Sequence, residues 1–306
     1  MLRTITLVAL VGLFAALPTR AHLQAAPEVA TPSVPRTLPR GFALDTTMAR
    51  YETRYRTYGR HRGRAHNVER AAALIDNTIV PPGGTFSFNG TVGPRTRRNG
   101  FRLAPVIEGG ELVRGLGGGG VCQVASTLHA AALKAGLRVD ARPHSRPSSY
   151  ISLGLDAAVS YPALDLVITN PHDFPVQFRV HAEEGEVRAE LVGDERFDVE
   201  VGRRVLGRRG FGQRVVEDAS LAPGEQVVAQ EGIRGARVEV TRTFASGAVE
   251  RRVVQYPPTE RIIRIGVRGG AEGAHPPEEG SPVAARTEAR GSALDRTPSP
   301  RSPAGA

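Results

Sequence analysis

The chain has 306 residues, 40% of them hydrophobic and 23% charged, enough apolar material for one large domain or two ordinary ones and too much for global disorder. A single cysteine excludes an internal disulfide framework and every multi-cysteine metal site. Aromatic residues are only 5% with no Trp, which argues against stacking platforms for single-stranded nucleic acid. The formal charge of +9 is almost wholly Arg, Lys134 being the one lysine, and it reads as a coding bias rather than a nucleic-acid signature. Such a surface still favours anionic partners, wall polymers or lipid headgroups among them, although scattered surface Arg accounts for it equally well.

The first segment, residues 1–21, has the pattern of a signal peptide. Arg3 supplies the cationic start, Ile5 to Leu17 are apolar, and Thr19 and Ala21 are small residues at the cleavage positions. The apolar run is too short to span a bilayer comfortably, and no cysteine follows it as in a lipoprotein. The expectation is an exported protein of the periplasm, wall or extracellular space with no stable membrane span after cleavage. In that setting a lone thiol is either a small buried hydrophobe or a reactive group.

Residues 22–47, rich in Pro, Ala and Thr, read as a linker. Met48 to Arg64 is basic and Tyr-rich (Tyr51, Tyr55, Tyr58), an alternation of Tyr and Arg that suggests RNA but that export argues against. Asn67 to Asn77 predicts a helix with Val68, Ala71, Ala72 and Ile75 on one face. Thr85 to Asn89 alternates like a strand, followed by strands near Leu103–Ile107 and Glu111–Arg114. The run Gly117–Gly120 leads into a helix from about Cys122 to Ala135, stopped by Gly136. Strands are then predicted at Leu137–Ala141, Asp156–Tyr161, Leu164–Thr169, Val176–Ala182 and Val187–Val192. From about Gly207 to Arg268, alternating segments joined by Gly-containing turns predict a small separate β module. Residues 269–306 hold almost no large apolar side chain and read as a disordered tail.

Gly115 to Gly120 also satisfies G-x-G-x-x-G, with Asp140 twenty residues further on. Adjacent glycines match almost any glycine spacing by chance, however. The preceding strand is too polar for the centre of a parallel sheet, and no strand–helix alternation follows. NAD is therefore not expected, and neither is any other cofactor. His61, His66, His172 and His181 show no metal-ligand spacing.

Cys122 is the residue that carries chemistry. It opens a helix after a glycine-rich turn, where unpartnered N–H groups and the helix dipole favour thiolate. Gly119, Gly120 and the backbone as far as Gln123 can approach a substrate closely and hold a developing oxyanion. A thiolate also needs a base. His129, at i+7, is about 10 Å away along the helix axis and too far for a direct bond. His144, after the next strand, is the better partner, with Asp156 or Asp165 to orient its imidazole.

Several blocks resemble the VanW family. They are Pro82-Gly83-Gly84-Thr85-Phe86-Ser87-Phe88-Asn89, Val92-Gly93-Pro94-Arg95-Thr96, the block from Gly118 to Leu128 around Cys122-Gln123, and His144-Ser145-Arg146-Pro147 with Tyr150. Asp156-Ala157-Ala158-Val159 and Asp165-Leu166 extend the match, which runs from about Tyr51 to Leu191 within a domain set at 48–195. One departure stands out: His129 occupies a position where the family often has Tyr. Pro223-Gly224-Glu225, Gln230-Glu231-Gly232, Gly235 and the stretch Pro257 to Gly266 look like a G5 domain, set at 207–268.

The resemblance implies an α+β fold in which the Cys122 helix packs on a mainly antiparallel sheet, followed by the small all-β module. It also implies an envelope protein linked to vancomycin-resistance clusters, with cysteine-dependent L,D-transpeptidase activity on peptidoglycan. Cys122 would be the nucleophile, His144 the acid and base, and Asp156 its orienting group. Gly119, Gly120 and Gln123 would hold the oxyanion, while Ser145, Arg146, Tyr150 and Arg95 would line the substrate groove. Peptidoglycan stem peptides and glycan would be the partners, the module serving as a tether. A cysteine peptidase on the same substrate, or a non-catalytic wall-binding protein with a structural Cys122, fits the same residues.

Overall fold

The computed structural model describes residues 41–108, 111–115 and 118–267. The expected signal peptide, most of the linker and the tail lie outside the described residues.

The first sheet is antiparallel with strand order β1-β9-β8-β2, formed by β1 (Thr46–Arg54), β2 (Thr78–Val80), β8 (Val176–Glu183) and β9 (Glu186–Gly193). β1 falls largely in the basic, Tyr-rich stretch, where no strand was expected from the sequence. A bulge between Thr47 and Ala49 sets Met48 and Ala49 side by side in the core, so the expected alternation is broken at its first apolar pair. Two helices cover this sheet: α1 (Arg62–Ile75) lies on β8, and α3 (Val121–Lys134) lies on β1 and β9. Their apolar sides meet Phe86, Phe88, Phe178 and Leu191 in one core. α1 starts five residues earlier than the apolar pattern predicts, because its first turn is Arg-Gly-Arg and shows no apolar face.

A second antiparallel sheet has the order β3-β7-β6, with β3 (Thr85–Ser87), β6 (Arg138–Asp140) and β7 (Val167–Thr169). The predicted strand through Asn89 stops at Ser87, which caps a short helix α2 (Phe88–Val92) by accepting from the Gly90 amide at 2.9 Å. Asp165 supports the same turn, accepting from the Asn89 amide at 2.7 Å and the Ser87 hydroxyl at 2.5 Å. The predicted strand Asp156–Tyr161 is instead an irregular loop, held by isolated bridges Arg142–Ala158 and Ser160–Leu164. β4 (Ala104–Glu108) and β5 (Glu111–Gly115) form a two-stranded hairpin before the glycine run.

The C-terminal part holds two three-stranded sheets. One has the order β10-β13-β14, formed by β10 (Val199–Arg209), β13 (Gly235–Phe244) and β14 (Val249–Tyr256). The other has the order β11-β15-β12, formed by β11 (Gln213–Asp218), β12 (Gln226–Gln230) and β15 (Arg261–Gly266), with β11 parallel to β15. The module does not stand apart. Ala236, Val238, Val240, Val254 and Tyr256 alternate onto one face and bury Ala130 and Leu133 of α3 with Ile151 and Leu155 of the following loop. This explains the composition of α3, which is buried almost all round, with small Ala, Ser and Thr where neighbours approach on every side.

Candidate functional site

The glycine turn is shaped by packing. Gly118 and Gly120 have φ of +124° and +108°, conformations that favour glycine. A Cβ on Gly120 would stand 2.7 Å from Val68 Cγ2 and 2.8 Å from the Arg64 carbonyl, and one on Gly119 would stand 2.5 Å from the Pro105 carbonyl. Bare backbone is thus required to press the start of α3 between α1 and β4. Asn67, fully buried on α1, locks the approach: its Nδ2 donates to the Gly119 and Arg102 carbonyls, and its Oδ1 accepts from the Arg102 amide.

Cys122 is the second residue of α3 and is half-buried. Its thiol donates to the Val159 carbonyl at 3.3 Å. Burial pushes the thiol pKa up, and the guanidinium groups of Arg95 and Arg64 act in the opposite direction. The simple expectation of a helix start lowering the pKa is therefore outweighed by desolvation. Arg95 is itself buried, donating to Asn89 Oδ1 at 2.6 Å and to the Gly93 carbonyl at 2.8 Å, while Arg64 donates to Gln123 Oε1 at 2.6 Å.

His144 lies across the Asp156–Val159 loop from Cys122. Its Nε2 is 3.1 Å from the Ala157 carbonyl, a pure acceptor, so Nε2 carries the proton and Nδ1 accepts from the Ser148 hydroxyl at 2.6 Å. Burial pushes its pKa down, so the ring is neutral at pH 7. Ser126, one turn after Cys122, bridges the two: Oγ donates to the Cys122 carbonyl at 2.7 Å, accepts from the Ala157 amide at 3.1 Å and lies 3.4 Å from His144 Nε2. Tyr150 meets His144 edge-on at 6.0 Å, with its hydroxyl 3.4 Å from Nε2, and the Arg64 guanidinium sits over its ring. Burial holds the Tyr150 phenol protonated.

Three sequence expectations meet a different geometry. Asp156 does not orient the imidazole; its carboxylate accepts from the His144 amide at 2.7 Å and from the Tyr256 hydroxyl, and Ser148 holds the ring instead. Asp165 belongs to the cap of α2. The Gln123 side chain is wholly occupied, with Nε2 donating to Thr53 Oγ1 at 2.9 Å and the Arg54 carbonyl at 3.0 Å while Oε1 serves Arg64. It ties α3 to β1 and α1, and the Gln123 backbone amide, expected to help hold an oxyanion, donates to the Gly120 carbonyl at 2.9 Å. Ser145 is exposed beside the half-buried Arg146. Among the described residues no group of three or more His, Cys, Asp or Glu side chains is placed to hold a metal ion.

Sequence reasoning missed Arg64, Asn67, Ser148 and Tyr256. Arg64 sat in a run of similar arginines, and Tyr256 lies 100 residues from the carboxylate that it meets. Ser126 falls on the same helix face as Cys122 at i+4, a signal that was present in the sequence.

Comparison with known proteins defines the class. Residues 63–192 match the family model described as VanW like protein, and residues 209–268 match that of the G5 domain. The chain carries a VanW-like domain followed by a G5 domain, a combination that points to a cell-wall-associated protein. A relative in Bacillus subtilis (strain 168), described as uncharacterized protein YoaR, is 44% identical over 120 residues, which is 39% of each protein; the chain thus matches about two fifths of that relative's length. Two solved structures align with the C-terminal part. The G5 domain of an IgA1 protease is 25% identical with a TM-score of 0.17, covering 24% of this chain and 95% of that one. HP0197-G5 is 22% identical with a TM-score of 0.15, covering 24% and 100%. Among the described residues no helix is long and apolar enough to cross a membrane.

Proposed function

We propose that this is an exported cysteine acyltransferase of the cell envelope, acting on peptidoglycan stem peptides in the manner of an L,D-transpeptidase. The observation that carries the reading is the half-buried Cys122 thiol in the first turn of α3, set among Arg64, Arg95 and the His144 loop. In the proposed reaction the His144 ring, released from Ser148 and the Ala157 carbonyl, turns its unprotonated nitrogen toward Cys122 and takes the thiol proton, and the thiolate attacks the carbonyl of an L,D peptide bond. The C–N bond breaks as the imidazolium returns that proton to the departing amine of the D-residue, leaving a thioester on Cys122. An acceptor amine then attacks the thioester, its surplus proton passes to His144, and the thiolate leaves. Arg64 and Arg95 stabilise the anionic sulfur at both stages.

A second reading has its own support. Both ring nitrogens of His144 are engaged and burial disfavours the thiolate, which suits a wall-binding protein with a structural Cys122. Mass spectrometry of muropeptides incubated with wild type and Cys122→Ala separates the two. Cross-linked dimers with wild type alone support the transpeptidase, and shortened stems alone make it a peptidase. No product from folded protein that still binds wall leaves the binding reading.

A further inference from the structure

The VanW-like and G5 parts share a polar contact that a simple tether does not require. Tyr256, at the end of β14, is buried, and its hydroxyl accepts from the Gly154 amide at 2.6 Å and donates to Asp156 Oδ1. The other oxygen of Asp156 accepts from the His144 amide. The next three residues of the loop supply both carbonyls that hold the reactive groups: Ala157 accepts from His144 Nε2 and Val159 accepts from the Cys122 thiol. Arg252, four residues before Tyr256 on the same strand face, reaches His129 Nε2 and the Gly154 carbonyl at 3.4 Å each. His129 Nδ1 in turn donates to the Leu155 carbonyl at 2.7 Å. The backbone approaches closely here, since a Cβ on Gly154 would lie 2.4 Å from Val240 Cγ2. His129 thus adds a polar contact to the apolar packing of Ala130 and Leu133 against the module.

We propose that Tyr256 and Arg252 of the β module are positioning residues for the Cys122–His144 site, acting through Asp156 and His129 on the loop that holds both groups. The inference rests on the site assigned above, yet its readout is the chemistry of Cys122 itself. With Tyr256 in place, the loop keeps Val159 over the thiol. Without the Tyr256 hydroxyl, Asp156 loses one of its two anchors and the loop loosens. Cys122 then gains solvent, while Arg64, Arg95 and Tyr150 remain the charged and titratable groups around it.

The test is the pH profile of iodoacetamide alkylation at Cys122, the only thiol, in the full chain. Tyr256→Phe keeps the ring and its packing. It is expected to raise the rate at neutral pH by about fivefold to tenfold, the factor that corresponds to one ordinary hydrogen bond and falls below the full strength of one to a charged acceptor, and to move the midpoint down. Arg204→Gln, on the outward face of the same sheet, is expected to leave the profile unchanged. Should Tyr256→Phe fail to fold, Arg252→Gln read in the same way carries the test. A wild-type profile in the folded variant overturns the proposal. A shifted profile in a protein that forms no muropeptide product leaves the positioning role standing and removes the acyltransferase.

Discussion

Replacing Gln123 with Leu separates a structural role from a substrate-binding one. The side chain makes three buried hydrogen bonds, to Thr53 Oγ1, the Arg54 carbonyl and the Arg64 guanidinium. Thr53 keeps a partner in Thr127 Oγ1 at 2.8 Å, so its loss is small. The Arg54 carbonyl is left without its side-chain donor, a cost of about 1 kcal/mol, and Arg64 loses a charge-assisted bond worth about 1.5–3 kcal/mol. Leucine returns about 1 kcal/mol through apolar burial, so the net destabilisation is about 1.5–3 kcal/mol. For a domain of this size that corresponds to a fall of about 3–12 °C in Tm. Thermal unfolding followed by circular dichroism measures it, with Gln123→Glu as a companion that retains the acceptor for Arg64. An unchanged Tm together with lost muropeptide processing would refute the structural role and return Gln123 to the substrate groove.

His129 is buried with its pKa pushed down to about 4, first by desolvation, while an unfolded His titrates near 6.5. Between those values the unfolded chain binds the extra proton. Its contribution to stability is therefore complete above pH 6.5 and is lost as pH falls toward 4, about 3 kcal/mol at most. Urea midpoints measured across that window should fall in wild type and fall less in His129→Gln. Gly120→Ala should destabilise the fold by more than about 2 kcal/mol in urea, since φ is +108° and the new Cβ meets Val68 and Arg64. Arg95→Gln should raise the midpoint at which thiolate ultraviolet absorbance appears, because this guanidinium favours the charged sulfur.

The parts of the fold that were legible in the sequence are those with an undisturbed period. α3, β8 and β9 fall within one or two residues of their predicted ranges, because Gly bounds the helix and a Glu-Gly turn bounds the hairpin. β1 was hidden by its bulge and α1 lost its first turn to Arg and Gly. Phe86 and Phe88 are both buried, which mimics alternation even though Phe88 belongs to α2. Cys122 and His144 were readable as chemistry-bearing types near a helix start and after the next strand. What holds them was not readable, since the Ala157 and Val159 carbonyls carry no side-chain signature. The contact from Tyr256 to Asp156 depends on the β module folding back onto α3, a tertiary fact with no local pattern.

Intact-protein mass spectrometry during turnover tests the central claim most directly. Mature protein mixed with a tetrapeptide-stem muropeptide should carry an adduct on Cys122 equal in mass to the donor less its terminal D-residue. Hydroxylamine should remove that adduct, as it does a thioester, and Cys122→Ala should never acquire it. Cross-linked product formed by Cys122→Ala at the wild-type rate, with no adduct on either protein, would contradict the assignment of Cys122 as the nucleophile.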